Sequence, residues 1–134
     1  VFARYRVMRA CMDQTGMGEK PVEDAQRRHG STRVEGVLFT AVNKLTLATH
    51  GKEVFEDRKL RIPEGNPALR ADLHKLKKVT GPTGTPRFVA DSDSSGHADR
   101  TWAAFLALNA AASDTGPVHV ASRPRRSALS LEGY

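Results

Sequence analysis

Asp13 closes a nearly continuous apolar run, Tyr5, Val7, Met8, Ala10, Cys11 and Met12, and Gly16 and Gly18 follow closely behind it. A run of this kind reads as a strand buried on both faces. Its terminal carboxylate then falls where loops leave an open α/β sheet and ligands bind. A second acidic group, Asp91, Asp93 and Asp99 with His97 among them, leads into the last apolar segment. Carboxylates a few ångströms apart hold Mg2+ or Mn2+, and two such ions ~3.5–4 Å apart activate water and stabilise the leaving oxygen of a phosphodiester. Each acid also has an ordinary explanation. Asp13 can simply start a turn, Asp91 and Asp93 suit a serine-rich loop, and Asp99 complements the dipole of a helix start. Spacing alone leaves both readings open.

Other chemistry is thinner. GMGEKP lacks the four-residue spacer and the lysine–serine/threonine pair of a phosphate loop. His29, His50, His74, His97 and His119 show no metal-ligand spacing, and Ser92, Ser94 and Ser95 have no neighbouring base that would make a nucleophile. Arg70, Lys75, Lys77, Lys78 and Arg87 form a basic series that could follow a DNA backbone, or merely solvate a helix face.

The elements that must position these residues follow from periodicity and punctuation. After the strand ending at Asp13, EKPVEDAQRRHG has Pro21 near a helix start, Arg27 and Arg28 in the last turn and Gly30 as the stop. Val34, Val37, Leu38 and Phe39 form a second strand. A helix spans about 43–58, with Leu45, Ala48, Lys52 and Phe55 on one face and Gly51 weakening it by roughly 1 kcal/mol relative to alanine. Leu60 and Ile62 suit a short edge strand closed by Pro63. Asn66 caps the next helix, Pro67 opens it, and Leu69, Leu73 and Leu76 line one side, with Arg70, Lys75, Lys77 and Lys78 on the polar face. TGPTGTP is turn chemistry, 87–90 is a strand, and 97–112 is a helix whose inner face carries Trp102, Phe105, Leu106 and Asn109. The order is that of an α/β domain over 1–112, with a basic, flexible tail over 113–134.

At 134 residues the chain is one domain. No stretch approaches the ~18–20 apolar residues of a membrane span, and arginines interrupt the N-terminal apolar run, so it is no signal peptide. A single cysteine, Cys11, excludes a disulfide framework or a cysteine-rich zinc site and fits a reducing cytoplasm. The net charge of +6 favours a polyanionic partner.

MDQTGMGEKPVEDAQRRHG, VEGVLFT, FEDRKLRIP, NPALRADLHKLKKV and FVADSDSSGHADRTWAAFLAL together resemble, in order, the C-terminal nuclease part of the Mu-like phage terminase large subunit. The resemblance covers about 5–112, with DQTGMGEKPVED and GHADRTWA its most specific elements. It implies a ribonuclease H-like fold, a mixed central sheet flanked by helices. It places one catalytic, metal-binding carboxylate on Asp13 and another on Asp99, within a histidine–x–aspartate pattern. It further implies two Mg2+ or Mn2+ ions in the complete enzyme, endonucleolytic cutting of double-stranded viral DNA during packaging, portal and small-terminase partners, and the bacterial host cytoplasm. The chain begins where the family's fourth strand would begin. The first three strands, with a further acid, and the ATPase motor with its Walker A sequence are therefore expected to be absent. A two-metal site lacking one acid should bind metal poorly, and an unpaired sheet edge invites self-association. Two other readings compete: a non-catalytic basic module binding DNA or a packaging partner, and another ribonuclease H-like nuclease of resolvase or integrase type.

Overall fold

The computed structural model describes residues 1–82, 84–90 and 98–112. The expected Tyr5–Met12 strand is shorter and shallower than its composition suggests. Strand β1 is Ala10–Asp13, with Ala10 to Met12 only half-buried, while Tyr5 and Met8 are 60% and 54% exposed. Arg4, Arg6 and Arg9 alternate with the apolar residues and hold that segment at the surface. It turns on itself through Tyr5 N–H donating to the Val1 carbonyl, and Phe2 stacks on His29 with ring centroids 4.0 Å apart.

Helix α1, Glu19–His29, carries the chain from β1 to a parallel neighbour, β2, Val34–Val37, in register Ala10↔Val34 through Asp13↔Val37. Val22 of α1 and Val34 of β2 are completely buried against each other's elements. β2 stops two residues short of the sequence expectation because side chains engage the next backbone groups. Phe39 N–H donates to Thr15 Oγ1, and the Leu38 carbonyl accepts from Asn43 Nδ2. Helix α2, Ala41–Glu56, begins earlier than expected, since Thr40 is its cap, Oγ1 accepting from Asn43 N–H at 3.1 Å.

Leu60 and Ile62 form no strand. Ile62 instead packs into a groove with Phe55, Leu73 and Leu76. Helix α3, Pro67–Lys75, starts as its punctuation dictates, Asn66 Oδ1 accepting from Leu69 N–H at 3.0 Å. It ends sooner, however. Leu76–Thr80 is strand β3, antiparallel to β4, Pro86–Ala90, so Lys77 and Lys78 lie on a strand and not on a helix face. β-Branched Val79 and Thr80 and the ladder with β4 outweigh the leucine periodicity that would have continued the helix. Helix α4 is Asp99–Ala112.

Among the described residues the parallel pair β1–β2 and the antiparallel pair β3–β4 share no ladder; packing through α2 and α4 joins them. Leu47 and Ala48 of α2 meet Phe105 and Leu106 of α4, and Cys11, Val37, Leu76 and Phe88 from all four strands close on this cluster. Gly51 lets the helices cross closely: a Cβ there would stand 2.2 Å from the Phe105 ring. A polar chain ties β1 and β2 to α4. Arg9 pairs with Glu35, the Cys11 thiol donates to Glu35 at 3.6 Å, and Asn109 Nδ2 donates to Cys11 Sγ at 3.6 Å. Burial pushes the Cys11 thiol up, away from the thiolate.

Sequence periodicity gave Asp72 no role, yet it is only 3% exposed. Its carboxylate accepts from Arg100 N–H at 3.3 Å and Nη1 at 3.1 Å, with Lys75 Nζ 3.5 Å away. Burial alone would raise its pKa, but Arg100's hydrogen bonds and the two cations outweigh burial and lower it. A carboxylate with a depressed folded pKa stabilises above its unfolded value, roughly pH 4, and loses that contribution as pH falls through the folded one. Melting temperatures should therefore fall on acidification below about pH 4. In Asp72→Asn the melting temperature should be lower at neutral pH and this acid limb flatter.

Candidate metal centre

Asp13 ends β1, and the backbone turns sharply after it. Its Oδ1 accepts from Thr15 N–H at 2.8 Å, a turn in which the side chain replaces a backbone acceptor. Gly16 takes φ +58°, the left-handed region, and opens a single 3₁₀ turn, Gly16–Gly18. Gly18 then lies so close that a Cβ on it would come within 2.3 Å of the Asp13 carbonyl oxygen. The two glycines thus have separate tasks, one of conformation and one of approach, and together they fix the main chain that carries the carboxylate. Gly18→Ala should cost about 1–3 kcal/mol by overpacking. It should also weaken Mn2+ binding although no carboxylate is altered, as a thermal melt and a Mn2+ titration would show together.

Asp99 is the first residue of α4 and is exposed, standing beside the fully buried Ala98, whose carbonyl accepts from Trp102 N–H at 3.1 Å. Burial of Ala98 pins this end of the helix, which holds Asp99 at the rim. Asp91, Asp93 and His97 lie outside the described residues.

Asp13 and Asp99 line the same cleft, of about 630 Å³, together with Phe39, Lys44, Phe88, Val89, Trp102, Ala103 and Leu106. Five elements or their flanks therefore build it: the end of β1, the exit of β2, the first turns of α2, β4 and α4. Lys44 is the cation of this lining. Its Nζ sits 5.5 Å from the ring centroid of Phe39 and 5.5 Å from that of Trp102. The rings themselves are 5.4 Å apart and tilted by 53°. From periodicity, Phe39 and Trp102 are apolar packing residues and Lys44 has no part at all. No spacing marks Lys44, since its place depends on where α4 crosses α2.

The basic series divides. In the β3–β4 register Lys77 faces Val89 and Val79 faces Arg87, so Lys77 and Arg87 share the sheet face of Val89, a cleft-lining residue. Lys78 pairs with Phe88 and, with Arg70, lines a separate apolar groove of about 500 Å³. Lys75 departs from the sequence expectation of a DNA contact: its side chain is 12% exposed and engaged with Asp72.

The donor chemistry suits a hard divalent cation that keeps much of its water. Asp99 has no hydrogen-bond or ion-pair partner among the described residues, and Asp13 commits one oxygen to the turn. The same residues contain no group of three or more potential metal ligands, so the two aspartates would be the whole protein contribution within them.

A family model described as a terminase RNaseH-like domain matches residues 1–111. Neither curated proteins nor solved structures give a match.

Proposed function

Because the chain belongs to the terminase RNaseH-like domain family, a nuclease-type α/β family, we propose that it is the DNA-cutting part of a phage packaging terminase, hydrolysing phosphodiesters of double-stranded DNA with divalent metal. One observation supports this above the others: Asp13 and Asp99, from the end of β1 and the start of α4, line a single cleft of about 630 Å³. Asp13 and Asp99 would hold Mg2+ or Mn2+, which supplies Lewis acidity at the phosphate and a water of lowered pKa. The chain's own residues do the positioning. The Thr15 N–H bond and the Gly16–Gly18 turn orient the Asp13 carboxylate, and buried Ala98 anchors that of Asp99. Lys77 and Arg87, which share the sheet face of Val89, would take flanking phosphates as point and fork charges.

The test is supercoiled plasmid incubated with the 134-residue chain and Mn2+, alongside Asp13→Asn and Asp99→Asn. Nicking and linearisation that require Mn2+ and both aspartates support the reading. Plasmid bound but left intact at every Mn2+ concentration would leave a basic DNA-binding module in its place.

A further inference from the structure

We propose that Lys44 is the residue that grips a DNA phosphate inside the Asp13–Asp99 cleft, a deepening that rests on the nuclease reading above. Lys44 forms no ion pair among the described residues. Two carboxylates line the same cleft, yet among the described residues none lies within ion-pairing distance of its ammonium. Its charge rests instead on the faces of Phe39 and Trp102, at 5.5 Å from each centroid, inside the ~6 Å range of cation–π attraction. Ring faces hold a cation in place without cancelling its charge, and Lys44 is half-buried, so few conformations are open to its stem. A cation kept this way is available to an incoming anion.

A phosphodiester is the anion that fits. Asp13 and Asp99 would hold the metal that attracts a phosphate, and a phosphate beside them would present non-bridging oxygens that still need a partner. An ammonium is a compact point charge suited to one of them. Its position is set in advance by α2, whose first turn is capped by Thr40, so little reorganisation accompanies binding. The nearby Phe39 and Trp102 rings add apolar surface for the sugar of the same nucleotide.

A fluorescein-labelled 20-base-pair duplex with Ca2+, a hard divalent cation for the two carboxylates, tests the assignment, followed by anisotropy against salt for the wild-type chain, Lys44→Ala, Lys44→Arg and Lys59→Ala. Lys59 is an exposed lysine paired with Asp57 at 2.7 Å after the end of α2, and its loss controls for net charge. Losing one phosphate contact should weaken binding roughly tenfold near 0.1 M salt and reduce the salt slope by about one. Lys44→Ala should show both changes, Lys44→Arg should stay within about threefold of wild type, and Lys59→Ala within about twofold. If Lys44→Ala binds like wild type, if Lys59→Ala falls as far, or if Lys44→Arg is as weak as Lys44→Ala, the assignment is overturned while the nuclease reading stands. A wild-type chain that binds no duplex at any salt overturns both.

Discussion

Asp13→Asn and Asp99→Asn should each lower Mn2+ affinity by at least ~100-fold, since disturbing merely a group behind a ligand already costs 10–100-fold. Asparagine is chosen because it keeps the fold around each acid. At Asp13 its amide oxygen still accepts from Thr15 N–H, the bond that shapes the turn. At Asp99 an exposed helix start accommodates asparagine as readily as aspartate. What disappears is charge. The protein supplies its own reporter, for Trp102 is the single tryptophan of the chain and lines the cleft with both aspartates. Paramagnetic Mn2+ entering there should quench its emission, and the titration gives affinity without any need for turnover. If the two carboxylates act as one site, the double variant should be scarcely worse than either single one. Quenching that persists unchanged in Asp13→Asn would separate the strand-end acid from the metal.

The largest effect on stability should come from Phe105, where α2 and α4 cross. Phe105 is 5% exposed, and Phe105→Ala should cost about 3–5 kcal/mol. That is a large share of the ~5–15 kcal/mol available to an ordinary domain. Gly51→Ala should cost about 1–3 kcal/mol for the opposite reason, because its new methyl would meet the ring 2.2 Å away. The two faults relieve each other: with the ring removed, the alanine methyl has room and fills part of the space. The double variant should therefore be more stable than the sum of the single losses predicts, by about 0.5–3 kcal/mol. Urea melts of the four proteins decide it, and strict additivity would show that the helices do not meet at this pair. The sequence reading treated Gly51 only as a helix weakener. Its packing partner lies on another helix, which explains why a poor helix former is placed mid-helix.

The parts of the molecule legible in the sequence are those whose causes are local. Asn66 and Pro67 announce the start of α3, Gly30 the end of α1, and the inner face of α4 follows from Phe105 and Leu106. The α/β class and the family also come through, the latter from short motifs around Asp13 and Asp99. What was not legible depends on partners far along the chain. Lys77 and Lys78 continue a helical pattern until β4 pairs with them, and Asp72 looks like one more surface acid until Arg100 arrives from α4. Lys75 changes from a DNA contact to an internal counter-charge for the same reason. In the cleft, a carboxylate at a strand end or helix start is a local signal that made both aspartates candidates, and the family resemblance then chose them. Lys44 gave no such signal, because its meaning comes from two rings brought together by tertiary packing.

The hydrogen bond from Asn109 to Cys11 joins residues 98 positions apart, and it has a temporal side. Closing so long a loop is entropically costly and rewards the chain only at the end, so contacts of this separation form late in folding. During synthesis β1 leaves the ribosome well before α4 is made, and at ~5–20 residues per second several seconds separate Asp13 from its counterpart on α4. Throughout that interval the nascent chain carries one acid without the other. The cleft lined by Asp13 and Asp99 is thereby put together late, once α4 has packed onto β1.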